Sequence, residues 1–342
     1  MIRRTKHAST ATCTLPIYMG FLMTEPNSIS CTQLAETYNI SHDSVNRFLE
    51  REDYTPHDLY QEAIQHIDNN KLIVSIDDTV LDKPYSQHMD LVSYFWSGKH
   101  HRSVKGINLI TLYATDQNGQ NIPINFRIYD KSEGKTKNDY FMDMLSEVLS
   151  WGAKIQFITG DSWYSSTGNL KTIRKHGIRF MFGIDCNRKV SPEKGQWFQL
   201  RLLPNFHQGQ VVWLKDFGFV QLFKTQLKEQ QRFYIVHQDE DDLLSFEGFH
   251  ELHSSHWKIE QYHRVIKQVC HIEKFQVRRS KLILNHIFSA LMAYVEIQKN
   301  QFERIFENVY RWQKKLFRPI IKDFIDDFIL DKNHLLPQRV YK

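Results

Sequence analysis

The chain has 342 residues, 41% hydrophobic and 24% charged, with a formal net charge of +5. That balance supports a sizeable buried core and excludes a disordered or fibrous polypeptide. The widely spaced Cys13, Cys31, Cys186 and Cys270 contain no C-x-x-C pair, which excludes a disulfide framework and a zinc knuckle and fits a reducing cytoplasm.

No stretch approaches the ~20 apolar residues that a membrane span needs, so no membrane partner is expected. The apolar patch Leu15 to Met23 follows basic residues as in a signal peptide. Polar Ser9 to Thr14 interrupts it, however, and Thr24-Glu25-Pro26 lacks a small-residue cleavage pattern, so export is not expected. Basic groups gather at His100-His101-Arg102, Lys171 to Lys175 and Arg278-Arg279-Ser280-Lys281, a bias that favours a polyanionic partner.

Residues 32–49, TQLAETYNISHDSVNRFL, hold two short helical periodicities around a polar break. Leu34, Ala35 and Tyr38 share one face, Asn39 suits a left-handed turn, and Ser41 is an N-cap for a second helix carrying Val45, Phe48 and Leu49. The pattern predicts a helix-turn-helix whose second helix offers His42, Asp43, Ser44, Asn46 and Arg47 to phosphates or base edges. A small helical bundle using the same turn only for packing is the alternative.

In KLIVSIDDTVLDKP, 71–84, the β-branched run Leu72, Ile73, Val74, Ile76 reads as a strand buried on both faces that stops at Asp77-Asp78-Thr79. Ionised carboxylates at the edge of a core cost several kcal/mol unless a cation or donors compensate. GINLITLYATD (106–116) and NIPINFRIYD (121–130) follow as strands joined through Asn118-Gly119, a hairpin signal. Ahead of them, His100, His101, Arg102 and Lys105 read either as a loop that binds backbone phosphates or as an ordinary solvated charged loop.

A helix is expected over 139–151, with Phe141, Met144, Leu145, Val148 and Leu149 on one face and Gly152 as its stop. KIQFITGD is a further strand ending in a carboxylate, Asp161, followed by a helix over 169–176 and the strand RFMFGID. From 187 to 245, prolines and glycines break up aromatic β-like pieces such as QVVWLKDFGFVQLF and QRFYIVHQ, which reads as a β-rich insertion. Helical periodicity resumes from Glu251 and runs toward a basic, aromatic tail.

Two apolar strands thus each end in an aspartate. A third acid, Glu260, sits in HWKIEQYHRVIKQ, where Ile259, Tyr262, Ile266 and Val269 form one helix face and Glu260, Arg264 and Lys267 an adjoining one. If the first and fourth strands are neighbours, Asp78 and Asp161 meet and a helix across the sheet brings Glu260 over both. A single strand-end aspartate is most often a turn or cap residue. Three clustered carboxylates repel one another and call for hard, oxygen-loving divalent ions, chiefly Mg²⁺. Two such ions, roughly 3.5–4 Å apart, suit phosphodiester chemistry, with Arg264 and Lys267 toward the phosphates.

IDDT (76–79), TGDSWY (159–164) and WKIEQYHRVIK (257–267) resemble the three acidic motifs of DDE transposases, in the bacterial insertion-sequence group that moves through hairpin intermediates. The resemblance covers roughly residues 72–278. It implies an RNase H-like mixed sheet flanked by helices, two Mg²⁺ or Mn²⁺ ions per site, and a homodimer acting on paired transposon ends and target DNA. It also implies Asp78, Asp161 and Glu260 as catalytic, metal-holding residues; Asp77 is a neighbour of open role.

That group's third motif runs Tyr, two residues, Arg, three residues, Glu, six residues, Lys. Glu260 and Lys267 match, while the Tyr and Arg positions hold His253 and His256. Histidine can bind a phosphate but is mostly neutral at pH 7, so clamping there would be weaker or pH-sensitive. Relatives stack a flipped base on an aromatic ring, and Trp163 and Trp213 are the candidates here, with core packing the alternative for both.

The resulting organisation is a helical DNA-binding region over 1–69, an α/β catalytic domain over 70–186 and 246–300, the insertion over 187–245, and a helical tail over 301–342. With no G-x-x-x-x-G-K-[ST], no nucleotide cofactor is expected, and the place of action is the cytoplasm, at the nucleoid. An RNase H-like nuclease without strand transfer, and a helix-turn-helix protein that has lost catalysis, remain alternatives.

Overall fold

Helices α1 (Leu15–Thr24), α2 (Cys31–Tyr38), α3 (His42–Arg51) and α4 (Pro56–Ala63) open the chain in a computed structural model that describes residues 11–25, 29–98, 100–227, 230–238 and 243–335. The apolar patch weighed as a leader is α1, which buries Tyr18, Phe21 and Leu22. Between α2 and α3, Asn39 adopts the left-handed conformation (φ 51°, ψ 49°), and the Ser41 side chain accepts a hydrogen bond from the Asp43 amide at the start of α3. Leu34, Ala35, Val45, Phe48 and Leu49 are buried as their spacing predicts. Tyr38 is not: it is 57% exposed, because the chain reverses at Asn39 immediately after it.

The next strands are β1 (Leu72–Asp82), β2 (Ser93–Ser97), β3 (Arg102–Thr115) and β4 (Asn121–Ile128). Helix α5 (Lys137–Ser150), strand β5 (Ile155–Gly160), helix α6 (Thr167–Lys175) and strand β6 (Arg179–Ile184) follow. Residues 189–237 contribute β7 (Lys189–Ser191), β8 (Phe198–Gln199), β9 (Gln210–Leu214), β10 (Gly218–Leu227) and β11 (Gln230–His237). Helices α7 (Phe246–Gln268), α8 (Ser280–Phe302) and α9 (Val309–Leu335) close the described part. The basic end of the tail, 336–342, lies outside the described residues, as do 1–10 and 26–28 of the N-terminal region.

Among the described residues the strands form one mixed sheet of eleven, in the order β2-β3-β1-β5-β6-β11-β10-β9-β7-β8, with β4 also paired to β3. The whole is a mixed α/β arrangement in which helices flank a large sheet, consistent with an RNase H-like nuclease fold. β1 pairs antiparallel with β3 and parallel with β5, so the first and fourth expected strands are neighbours.

One expectation needs correcting. The strand that carries the acids does not stop at them: β1 runs on to Asp82, paired with β3 up to Gly106. Its parallel partner β5 pairs only as far as Ile76↔Gly160. Asp77 and Asp78 therefore lie where β1 overhangs β5, which opens a notch in the sheet beside them. Strand β2 was not foreseen, being short and aromatic rather than aliphatic.

The N-terminal helices share one buried cluster with the sheet. Their polar tie is Asn285 of α8, whose side-chain amide donates to the Leu49 and Glu52 carbonyls (2.7 and 2.6 Å) at the C-terminal end of α3. Tyr18 Oη and His286 Nδ1, 2.8 Å apart, add a second buried link. α7 lies across β1 and β3, with the Tyr262 ring stacked on Tyr113 (centroids 4.8 Å apart).

Candidate active site

Side chains alternate across a strand, so Asp77 and Asp78 face opposite sides of β1. Asp77 faces α7: its Oδ2 lies 3.6 Å from His263 Nδ1, too far for a hydrogen bond. Burial and Lys267 push the His263 pKa down to about 3, so the ring is neutral and supplies no counter-charge.

Asp78 faces the start of α5 and is fully engaged. Its Oδ2 accepts from Lys137 Nζ at 2.7 Å and Asn108 Nδ2 at 2.6 Å, and its Oδ1 accepts from the buried Tyr164 hydroxyl at 2.9 Å. Asp161 follows the last residue of β5 and caps the short turn after it, accepting from the Trp163 amide at 2.9 Å.

These carboxylates crowd one another. Burial, then the charges of Asp161, Asp78 and Glu260, hold Asp77 well above the usual carboxylate range. Burial and Asp78 push Asp161 up to about 6, against the pull of the Trp163 and Tyr164 amides and Lys137. Glu260 is raised by burial and opposed by Arg232 and Arg264. All four acids line one cavity of about 830 Å³ together with Lys131, Lys137, Lys267, Tyr94, Trp96 and Trp163. The exposed rings of Tyr94 (64%), Trp96 (65%) and Trp163 (62%) form part of its wall.

Oxygen donors of this kind, crowded and under-neutralised, have the chemistry of a magnesium or manganese site. Among the described residues no three of these side chains converge closely enough to grip an ion as they stand. The fit is in donor type and in placement around one cavity, to which β1 brings Asp77 and Asp78, the end of β5 Asp161, and α7 Glu260.

Other expected residues fall in different places. Ser44 does not face outward: it is 2% exposed, its Oγ lies 2.8 Å from Thr12 Oγ1 and it accepts from the Cys13 amide, so it packs the helix rather than reading DNA. Asn46 is half-buried beside His42, and Arg47 is exposed, its Nε on the Asp43 carbonyl. Arg102 is exposed at the start of β3, paired with Ser97.

His253 and His256 do not present free rings to a phosphate: His253 Nε2 is 3.0 Å from Tyr234 Oη and His256 Nδ1 is 3.2 Å from Thr159 Oγ1. Burial, with His253 nearby, lowers the His256 pKa to about 4. Arg264 is exposed on the turn after Glu260, whereas Lys267 Nζ donates to the Val80 carbonyl of β1 at 2.6 Å.

Trp163 lines the acidic cavity, but Trp213 does not. Trp213 lies edge-on to Phe219 (4.8 Å) in a separate cavity with Arg174, Phe217 and His237. Sequence reasoning missed Lys137, Asn108 and Tyr164. Asn108 could have been suspected as a polar residue inside an apolar strand and Tyr164 as the end of the TGDSWY stretch; Lys137 carried no signal.

The mixed sheet thus carries carboxylates on adjacent parallel strands, with a further acid on a crossing helix. The chain belongs to the transposase DDE domain family, whose model matches residues 68–295. No curated protein matches it. A solved structure it resembles, Marinitoga piezophila Argonaute in complex with 5′ OH guide RNA and target DNA, is 10% identical with a TM-score of 0.22. That match covers 68% of this chain and 33% of the other, so the chain spans about a third of that protein's length. No helix among the described residues is long and apolar enough to cross a membrane.

Proposed function

We propose that the protein is an insertion-sequence transposase that binds the ends of its own element, cleaves the DNA and joins the freed 3′ ends to target DNA. The observation that carries this reading is the parallel pairing of β1 with β5, which sets Asp77 and Asp78 beside Asp161, under a helix that bears Glu260 on the same cavity. Asp78, Asp161 and Glu260 are the proposed metal-holding residues, and Asp77 joins them because it lines the same cavity and feels the charge of Asp161.

Two Mg²⁺ ions, or Mn²⁺, would activate the attacking oxygen and stabilise the leaving one. The chain's own residues do the rest. Lys267, Lys131 and exposed Arg264 attract and orient the phosphodiester backbone. Tyr94, Trp96 and Trp163 offer stacking faces to bases that leave the duplex. α3, with Arg47 outermost and Asn46 beside it, is the proposed DNA-reading helix of a helix-turn-helix, and Arg102 extends the phosphate track. A homodimer would hold both element ends, and a hairpin intermediate belongs to the same reading.

The test is a cleavage and strand-transfer assay with Mg²⁺ on the DNA that flanks the gene, comparing the wild type with Asp161→Asn. Loss of both products with DNA binding retained is expected. Cleavage without joining by the wild type would make it a nuclease, and wild-type activity in the variant would place the chemistry elsewhere.

A further inference from the structure

We propose that Lys137 is the resting counter-ion of the carboxylate cluster: its ammonium neutralises Asp78 while no divalent ion is bound, and yields when one binds, so that Lys137 sets the metal affinity of the site. This rests on the reading of the cluster as a metal centre.

The Lys137 Nζ to Asp78 Oδ2 distance is 2.7 Å, with the two side chains only 16% and 15% exposed. In such surroundings an ion pair is screened far less than at the surface. Lys137 is also misplaced by local helix rules. It is the first residue of α5, at the positive end of the helix dipole, where a cation is disfavoured. The Thr136–Asp139 capping box fixes the chain there, so what the position gains from a lysine is reach to Asp78.

A divalent ion bound through Asp78 would meet this ammonium on the same carboxylate, and the two cations repel. Lysine, unlike Tyr164 and Asn108, which also hold Asp78, is a charge on a flexible stem. Its Nζ already lies 5.6 Å from the centroid of the Trp163 ring, whose exposed face gives a displaced ammonium a cation–π position.

The measurement is Mn²⁺ binding to DNA-free protein at pH 7.5, read by the loss of the free-ion electron paramagnetic resonance signal, with folding verified by circular dichroism. Lys137→Gln should tighten the apparent affinity by about tenfold or more, because a nearby positive charge is removed. Lys137→Met, of matching length, should do the same, while Lys137→Arg should restore wild-type affinity. Lys135→Gln, which breaks an exposed pair with Asp143 in the same segment, should change nothing. Unchanged or weaker binding in the Gln and Met variants, with binding lost in Asp161→Asn, overturns the role of Lys137 alone. Wild-type Mn²⁺ binding in Asp161→Asn, or none in any protein, overturns the metal centre itself.

Discussion

Gly160, the last residue of β5, is the hinge on which Asp161 is placed, and adding one methyl group there tests the packing that sets the site. A Cβ at Gly160 would lie 2.6 Å from Phe182 Cε1 and 2.8 Å from Ile76 Cγ2. Both neighbours are completely buried, so neither can swing into solvent, and the strand end must shift instead. Overpacking of this kind costs about 1–3 kcal/mol. With a urea slope of about 3 kcal/mol/M, Gly160→Ala should lower the unfolding midpoint by about 0.3–1 M. Phe182→Leu removes the ring edge that the new methyl meets, so the double variant should be more stable than the summed single effects by about 1 kcal/mol or more. Mn²⁺ affinity should fall in Gly160→Ala, because the displaced backbone carries Asp161 with it. A Gly160→Ala protein as stable as the wild type, or strictly additive costs in the double variant, would refute the argument.

In metal-free protein, the folded pKa of Asp161 is about 6 against an ordinary 3.8, so its ionisation opposes folding fully above the first value and not at all below the second. Asp161→Asn should therefore raise the melting temperature in EDTA at pH 7.5, with the gain shrinking through pH 6 and vanishing near pH 4; a gain independent of pH would contradict this. Asn39→Gly should leave stability unchanged or slightly raised, whereas Asn39→Val, forced into the left-handed region, should cost about 1–2 kcal/mol in denaturant unfolding. Arg47→Ala should weaken DNA binding and reduce the slope of log affinity against log salt by about one; an unchanged slope in a filter-binding titration would remove Arg47 from the phosphate contacts.

Local signals in the sequence were legible wherever one element determined them. Periodicity placed α5, with Phe141, Met144, Leu145 and Val148 buried, and the aliphatic runs placed β1, β5 and β6. The left-handed turn at Asn39 followed from residue chemistry alone. What could not be read was set by partners distant in sequence. That Ser44 turns inward depends on Thr12 and Cys13, and the inward use of His256 on Thr159 depends on how α7 lies on the sheet. Strand β2 forms because β3 is long enough to pair with it beyond its pairing with β1; its own residues carry little aliphatic signal.

The adjacent pair Asp77-Asp78 shows most clearly what sequence leaves open. Either residue could be matched to the acid of the first motif, and one residue of register decides which face each occupies. The structure gives them opposite electrostatic situations. Asp78 has three donors, one of them cationic. Asp77 has the amide that follows it (2.8 Å), a neutral histidine and two aspartate neighbours. A divalent ion near Asp77 and Asp161 would relieve their mutual repulsion directly, whereas an ion on Asp78 must first contend with Lys137. The two aspartates are therefore not redundant: neutralising Asp77 removes part of the demand for a cation, while neutralising Asp78 releases Lys137 into the cavity as an unpaired positive charge. Both changes weaken metal binding, and also removing the charge of Lys137 should recover more affinity in the Asp78 variant, where that charge has lost its partner, than in the Asp77 variant.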